Sequence, residues 1–461
     1  MTIPAHPRPR SLLLVAWLCL AAIPFAMIVF NIGGYIVAAG HSITSTDIVR
    51  DYVYAVAWGV LLFAVVAALP ASGPDRRALL LLWLAKLVVT LGVMLPYEQI
   101  YCADACGYHR FGLEVQSWWP ASTEYSGSPG FGNGTANMMV FAHWHAVLIS
   151  KSYHAMKVTW SLLGFFAIYL IYRAATFYLG RRDVRVLYLI GLFPGILFWS
   201  SILGKDPLTL LGIAAYTIGV VGWYRQRRIR WLVVLVAGLL FAASMRVWLG
   251  AIFMLPLVLL MLRDANWARR IVIGGLAIAA FGFAFSLSLD KFHIDSAEEA
   301  VTQTNSISQS WAYGGSAQKI SGGLNSFGDI VMFMPAGMFS ALFRPLPGEI
   351  GSVFGFLASL ENMYLLWLLG VVIARSRWHR IFRDPLLLWA TLLVLTWSSV
   401  YGIASYQNLG TAVRFKLQIE PILLLLLVRL AQRKPEPILD ASARKPEQRL
   451  RAPRPRDIPQ R

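Results

Sequence analysis

Asp104 is the carboxylate best placed to do chemistry in this 461-residue chain. It lies in Tyr101-Cys102-Ala103-Asp104-Ala105-Cys106-Gly107-Tyr108-His109-Arg110, inside a polar, aromatic and glycine-rich stretch from Tyr97 to Lys157. A carboxylate at the mouth of such a stretch can act as general base, taking the proton of an attacking hydroxyl. Cations would then be needed to hold negative charge as it develops on a leaving group. Lys205, Arg246, Arg344 and Arg414 each sit where an apolar run begins or ends. Arginine in particular matches phosphate or pyrophosphate. Asp104 is therefore the first catalytic candidate and Lys205, Asp206, Arg246, Arg344 and Arg414 the substrate-binding ones; His109 is named beside Asp104 as catalytic and Tyr108 as substrate-binding.

The elements that must position these residues are membrane spans. Hydrophobic residues make up 57% of the chain and charged residues 14%, about half the charged share of a soluble domain. Apolar runs near the bilayer length recur throughout, at Ser11–Gly40, Val53–Pro70, Ala78–Pro96, Val158–Leu179, Val186–Gly204, Leu208–Tyr224 and onward. The expected fold is an all-α polytopic bundle of about 12 spans. It occupies residues 1–432, carries large outer loops at 97–157 and 290–350, and is followed by a basic, proline-rich tail over 433–461, read as disordered.

The net charge of +18 is concentrated in short gaps between apolar runs, such as Arg76-Arg77, Arg181-Arg182-Asp183-Val184-Arg185 and Arg225 to Arg230. These gaps fall on one side of the predicted topology, as the positive-inside bias of an inner-membrane protein requires. Nucleic acid is excluded as a partner on that placement. Both termini are expected in the cytoplasm, and the site candidates on the outer face.

Each candidate also has a plainer reading. Asp206 can be a helix N-cap before Pro207. Arg246, Arg344 and Arg414 can anchor at lipid headgroups. His143, His145 and His154 read as packed or interfacial residues. Lys86 and Glu361, deep in apolar runs, read as a buried structural pair or an ion path. Trp118, Trp119, Trp311 and Tyr313 suit either sugar stacking or interfacial anchoring. Cys102 and Cys106 are either a disulfide, if their loop is extracytoplasmic, or two small loop residues. Their spacing matches no common zinc site, and no metal ligand is assigned.

Asp104-Ala105-Cys106-Gly107-Tyr108-His109 resembles the Asp-x-x-x-Tyr-His element in the first large outer loop of GT-C-type membrane glycosyltransferases. Trp199-Ser200-Ser201 with Lys205-Asp206, Arg344-Pro345-Leu346-Pro347-Gly348-Glu349, Glu361-Asn362, and Asn408-Leu409-Gly410 with Arg414 look like patterns in a bacterial surface-polysaccharide group. The resemblance implies an inner-membrane enzyme with Asp104 as base and a polyprenyl-(pyro)phosphate-linked sugar as donor. Its partners would be membrane lipid, a glycan or lipid acceptor and other polysaccharide-assembly proteins. Two departures stand out: the loop follows the third span, and it holds no Asp-x-Asp, so a divalent metal lacks support. The outer-face arginines also look like those of repeat-unit polymerases and O-antigen ligases. A flippase for a lipid-linked anionic substrate is the alternative from another class.

Overall fold

The computed structural model describes residues 47–432, together with 30–38 and 43, apart from 124–125, 264–265, 293–296, 311, 313, 319–323 and 376–377. The expected first span, the 433–461 tail, Trp311 and Tyr313 thus lie largely or wholly outside the described residues. Among those described, the chain is all-helical. In order the helices are α1 Ile48–Ala67, α2 Gly73–Val88, α3 Met94–Ile100, α4 Ala103–Glu114, α5 Gly134–Leu148, α6 Tyr153–Leu179, α7 Val184–Gly191, α8 Pro194–Trp199 and α9 Lys205–Gln226. There follow α10 Ile229–Met245, α11 Trp248–Arg263, α12 Trp267–Phe292, α13 Ala297–Ser310, α14 Phe327–Phe343, α15 Val353–Ala374, α16 His379–Arg383, α17 Pro385–Ala404, α18 Leu409–Lys416 and α19 Glu420–Ala431.

Among the described residues, six helices are long and apolar enough to cross a membrane: α1, α2 continued through a π-helical turn into α3, α6, α9, α15 and α17. Shorter apolar helices, α10, α11 and α14, pack beside them. The run Val186–Gly204, expected as one span, is instead two short helices, α7 and α8, broken before Pro194. Proline has no N–H for the helical ladder and displaces the preceding residue from helical geometry. The expected loop 97–157 is itself largely helical, because Asn133 caps α5 and Ser152 caps α6.

Helix α9 is the axis of the bundle. Of its apolar window 78% is buried, against 22% for α1, which faces outward. Small residues let α10 lie directly on α9: a Cβ on Gly238 would come 2.3 Å from the Tyr216 nitrogen, and one on Gly212 2.7 Å from the Ala242 nitrogen. Such close backbone approach holds membrane helices together where apolar burial supplies little drive. Gly238→Ala is expected to cost about 1–3 kcal/mol through overpacking, read as a lower melting temperature of the purified protein. The Tyr216 hydroxyl then joins three helices, donating to the Phe253 carbonyl at 2.8 Å and accepting from Trp389 Nε1 at 3.2 Å.

The ends of the bundle differ chemically. At one end Asp75 meets Tyr172 and Arg182, Asp384 meets Tyr178, and Arg263 reaches the Phe382 carbonyl. At the other end lie the first turns of α6 and α9 and the last turn of α10. The 22 residues of α9 separate these ends by about 33 Å.

Candidate functional site

Five charged side chains from four separate stretches of the sequence converge where α4, α9, α10 and α18 meet. Asp206, in the first turn of α9, accepts from Arg246 Nη2 at 3.1 Å on one oxygen and from Arg414 Nε at 2.7 Å on the other. Arg414 Nη1 also donates to Asp104 Oδ2 at 2.6 Å. Lys205 Nζ lies beside them, donating to Thr135 Oγ1 at 2.9 Å. The Arg246 guanidinium stacks over the Phe415 ring at 4.3 Å, and its buried Nε finds no acceptor among the described residues.

Local sequence explains how each group is held. A Cys102–Cys106 disulfide clasps the first turn of α4 on either side of Asp104, and a carboxylate suits a helix N-terminus. Arg246 is the extended residue that ends α10. The chain just before it touches the start of α5, where a Cβ on Gly134 would fall 2.2 Å from the Met245 carbonyl oxygen. Asn408 caps α18 and accepts from Thr411 N at 3.0 Å, while Ser316 bonds its side chain at 2.9 Å. Arg414 and Lys416 are two residues apart, about 200° around α18. Lys416 therefore pins the opposite face, bonding Asn362 and pairing with Glu361 at 3.3 Å and Glu420 at 3.0 Å.

Lys86 has a different partner from the one expected. It does not pair with Glu361; its ammonium donates to the Ser200 carbonyl at 3.0 Å, Ser200 Oγ at 2.8 Å and Ser201 Oγ at 2.9 Å. It thereby fixes the turn that delivers Lys205 and Asp206. Nor is Asp206 an N-cap: Gly204 holds that position, and the Asp206 carboxylate is turned to the two arginines.

Tyr108 belongs with this group and His109 does not. Four residues after Asp104, Tyr108 returns to nearly the same face of α4, whereas His109 is rotated about 100° further. His109 Nε2 bonds the Lys151 carbonyl at 2.8 Å, and its ring packs edge-on to Tyr153. Burial pushes its pKa down. The expectation that His109 acts beside Asp104 is corrected accordingly. Arg344 is also engaged elsewhere. Its Nε and Nη2 donate to Glu349 at 2.8 and 2.6 Å, and Nη1 to Gln318 at 3.1 Å. Glu349, five residues on across a turn containing Pro345 and Pro347, competes successfully for the guanidinium. His145 bonds the Ser150 carbonyl and Thr159, a packing role.

Exposure separates the two carboxylates. The Asp206 side chain is 1% exposed, Arg246 7%, Arg414 15% and Asp104 45%. Asp206 is thus a fixed clamp holding two guanidinium groups together, while Asp104 is the partner that solvent or a ligand can reach. Burial alone would raise the Asp104 pKa. The charge and hydrogen bond of Arg414 outweigh it, with help from Lys205 and Arg246, and the net shift is below the ordinary 3.8. Burial, then the Asp104 charge, raises the pKa of the Tyr108 hydroxyl, which stays protonated.

A depressed carboxyl pKa contributes stability above the ordinary value and loses it as pH falls through the folded one. Acidification below about pH 4 is therefore expected to lower the melting temperature of the wild type. In Asp104→Asn that acid-side loss should be smaller, as paired thermal scans across the acid range would show.

Cavities open beside the cluster and share Tyr97 and Trp199. A narrow cleft carries Asp104 and Arg414. A cavity of about 330 Å³ runs from Arg414 past Tyr101 to Gly314, Ser316 and Ser352. A third, of about 260 Å³, is apolar, lined by Val93, Leu197, Phe198, Phe354 and Leu357, with Glu361 at its edge. Tyr97 meets Phe198, Trp199 and Phe354 edge-on at 5.2–5.9 Å. These aromatics escaped the sequence reading, which looked to Trp118 and Trp119. Those two pack on Trp144 instead. The signal available was Trp199, within Trp199-Ser200-Ser201. Among the described residues no three His, Cys, Asp or Glu side chains gather as a metal site. Comparison with family models, curated proteins and solved structures gave no match.

Proposed function

We propose that the protein is an inner-membrane glycosyltransferase that moves a sugar from a polyprenyl-(pyro)phosphate donor to a glycan or lipid acceptor at the outer face. The observation that carries this reading is the Asp104–Arg414–Asp206–Arg246 network at the junction of a charged cleft and an apolar cavity. A lipid phosphate needs both environments side by side. The entering phosphate takes the place of Asp104 on Arg414, since Asp104 is the exposed partner and Asp206 the buried one. Arg246, Arg414 and Lys205 then hold it. Asp104, released, takes the proton of the acceptor hydroxyl, whose oxygen bonds the anomeric carbon. The bond from that carbon to the phosphate oxygen breaks, and the cations stabilise the charge left on the phosphate. Tyr97, Tyr101 and Trp199 offer faces for the sugars.

The outer-face placement rests on the arginine-rich opposite end, read as cytoplasmic, and on the disulfide beside Asp104, which suits an oxidising compartment. About twelve spans with both termini cytoplasmic is the topology that goes with it. Arg414→Lys keeps the charge but cannot bridge two carboxylates as a planar fork. Membranes carrying it, supplied with lipid-linked sugar, are expected to transfer about 10²-fold less than wild type at equal protein level. Unchanged transfer would remove Arg414 from the phosphate site.

A second reading, transport of a lipid-linked anion, draws on the Glu361–Lys416–Glu420 network, whose side chains are almost fully buried. Ionisable groups buried at membrane depth often mark ion paths. Movement of labelled lipid across vesicles without new glycosidic bonds would favour it.

A further inference from the structure

We infer that the end of the bundle opposite this site binds an anionic phospholipid. A bowl of about 640 Å³ there is lined by Arg225, Arg380, Arg383, Arg429 and His379, with Asp384 as the single carboxylate among the described lining residues. That one carboxylate offsets at most one of the four guanidinium groups. It caps α17, accepting from the Leu386 and Leu387 nitrogens, and takes the Tyr178 hydroxyl at 2.7 Å. Arg225 Nη2 donates to the Tyr178 carbonyl at 2.9 Å and Arg429 Nη1 to the Gln432 side chain at 3.0 Å, neutral acceptors that leave both charges in place beside the open cavity.

Excess arginine at this end is what the positive-inside bias alone would produce. What that bias does not produce is the neighbouring apolar groove of about 120 Å³, which shares Tyr178, Leu386, Leu387 and Arg429 with the bowl. The groove continues from there between α6, α9, α17 and α19, past Ala175, Val221 and Leu426. A charged bowl opening into an apolar groove at a membrane surface matches one molecule in both parts. The phosphate of a lipid headgroup meets the arginines, and an acyl chain lies along the groove. A zwitterionic lipid would bring its own cation into the bowl and lose by it, and a soluble phosphate would leave the groove unused. The inference does not depend on the sugar-transfer reading, because no residue of the bowl or groove belongs to that site.

The test is native mass spectrometry of the full chain in mild detergent, titrated with phosphatidylglycerol or with phosphatidylcholine of the same acyl chains. Phosphatidylglycerol is expected to bind at least about tenfold more tightly. Arg383→Gln with Arg429→Gln should remove that preference. Ala175→Phe, which fills the groove and leaves every arginine in place, should weaken phosphatidylglycerol binding by a similar factor. Arg181→Gln with Arg185→Gln, at the same end but outside the bowl, should leave it unchanged. Equal binding of the two lipids would overturn the inference, as would an equal loss in the Arg181/Arg185 control. Full competition by glycerol phosphate would overturn it too, assigning the bowl to a soluble anion.

Discussion

Asp104→Asn is expected to lower sugar transfer by about 10²- to 10⁴-fold, the range removed with a positioned general base, while the protein accumulates normally. The substitution is close to isosteric, and the amide oxygen can still accept from Arg414 Nη1, which Asp104 does at 2.6 Å. What disappears is the charge that accepts a proton. Normal folding is expected for a second reason. The Asp104 side chain is 45% exposed and Arg414 keeps Asp206 as a second partner, so the amide leaves no buried guanidinium without a carboxylate. The disulfide still closes the first turn of α4. Full activity in this variant, assayed in membranes with saturating lipid-linked donor, would dismiss Asp104 as the base and leave the cluster a structural one.

Asp206→Ala is expected to do the reverse, with a loss in stability that outruns any direct chemical role. Its carboxylate is 1% exposed and bridges Arg246 and Arg414. Removing it leaves two guanidinium groups facing each other with little water. Breaking a buried pair from one side costs about 3–5 kcal/mol, so the melting temperature in detergent should fall well below that of Asp104→Asn. Transfer should fall too, because the arginines would separate. Small and equal shifts for the two variants would mean that water already solvates these arginines and that no buried clamp exists.

The contrast between these carboxylates shows what the sequence could and could not reveal. Asp104, Lys205, Asp206, Arg246 and Arg414 stand out because charges are rare in this chain and these sit at the ends of apolar runs. Topology alone put them on one side, and they meet. Which of them are engaged elsewhere depends on local geometry. Arg344 is held by Glu349 across a proline-rich turn, a contact visible in the numbering but not separable there from solvent exposure. His109 follows Tyr108 directly, and only helical periodicity across α4 turns it away from the site. Lys86 reads in the sequence as half of a buried pair with Glu361 or as part of an ion path, yet a backbone carbonyl and two hydroxyls satisfy it. Pattern reading does not register such acceptors. The apolar character of Val186–Gly204 likewise masked the break at Pro194 that brings Trp199 back toward Tyr97.

Sugar transfer and lipid transport both require an anionic lipid at the Asp104–Arg414 cleft, and they part on a single bond. The direct measurement uses purified protein in proteoliposomes holding acceptor and a polyprenyl-phosphate sugar, labelled separately in the sugar and in the phosphate. If the protein is a glycosyltransferase, the sugar label appears in the acceptor while the phosphate label stays with the lipid. The separation is lost in Asp104→Asn. Should the two labels remain joined and cross the bilayer together, sugar transfer is contradicted and the protein moves its substrate intact.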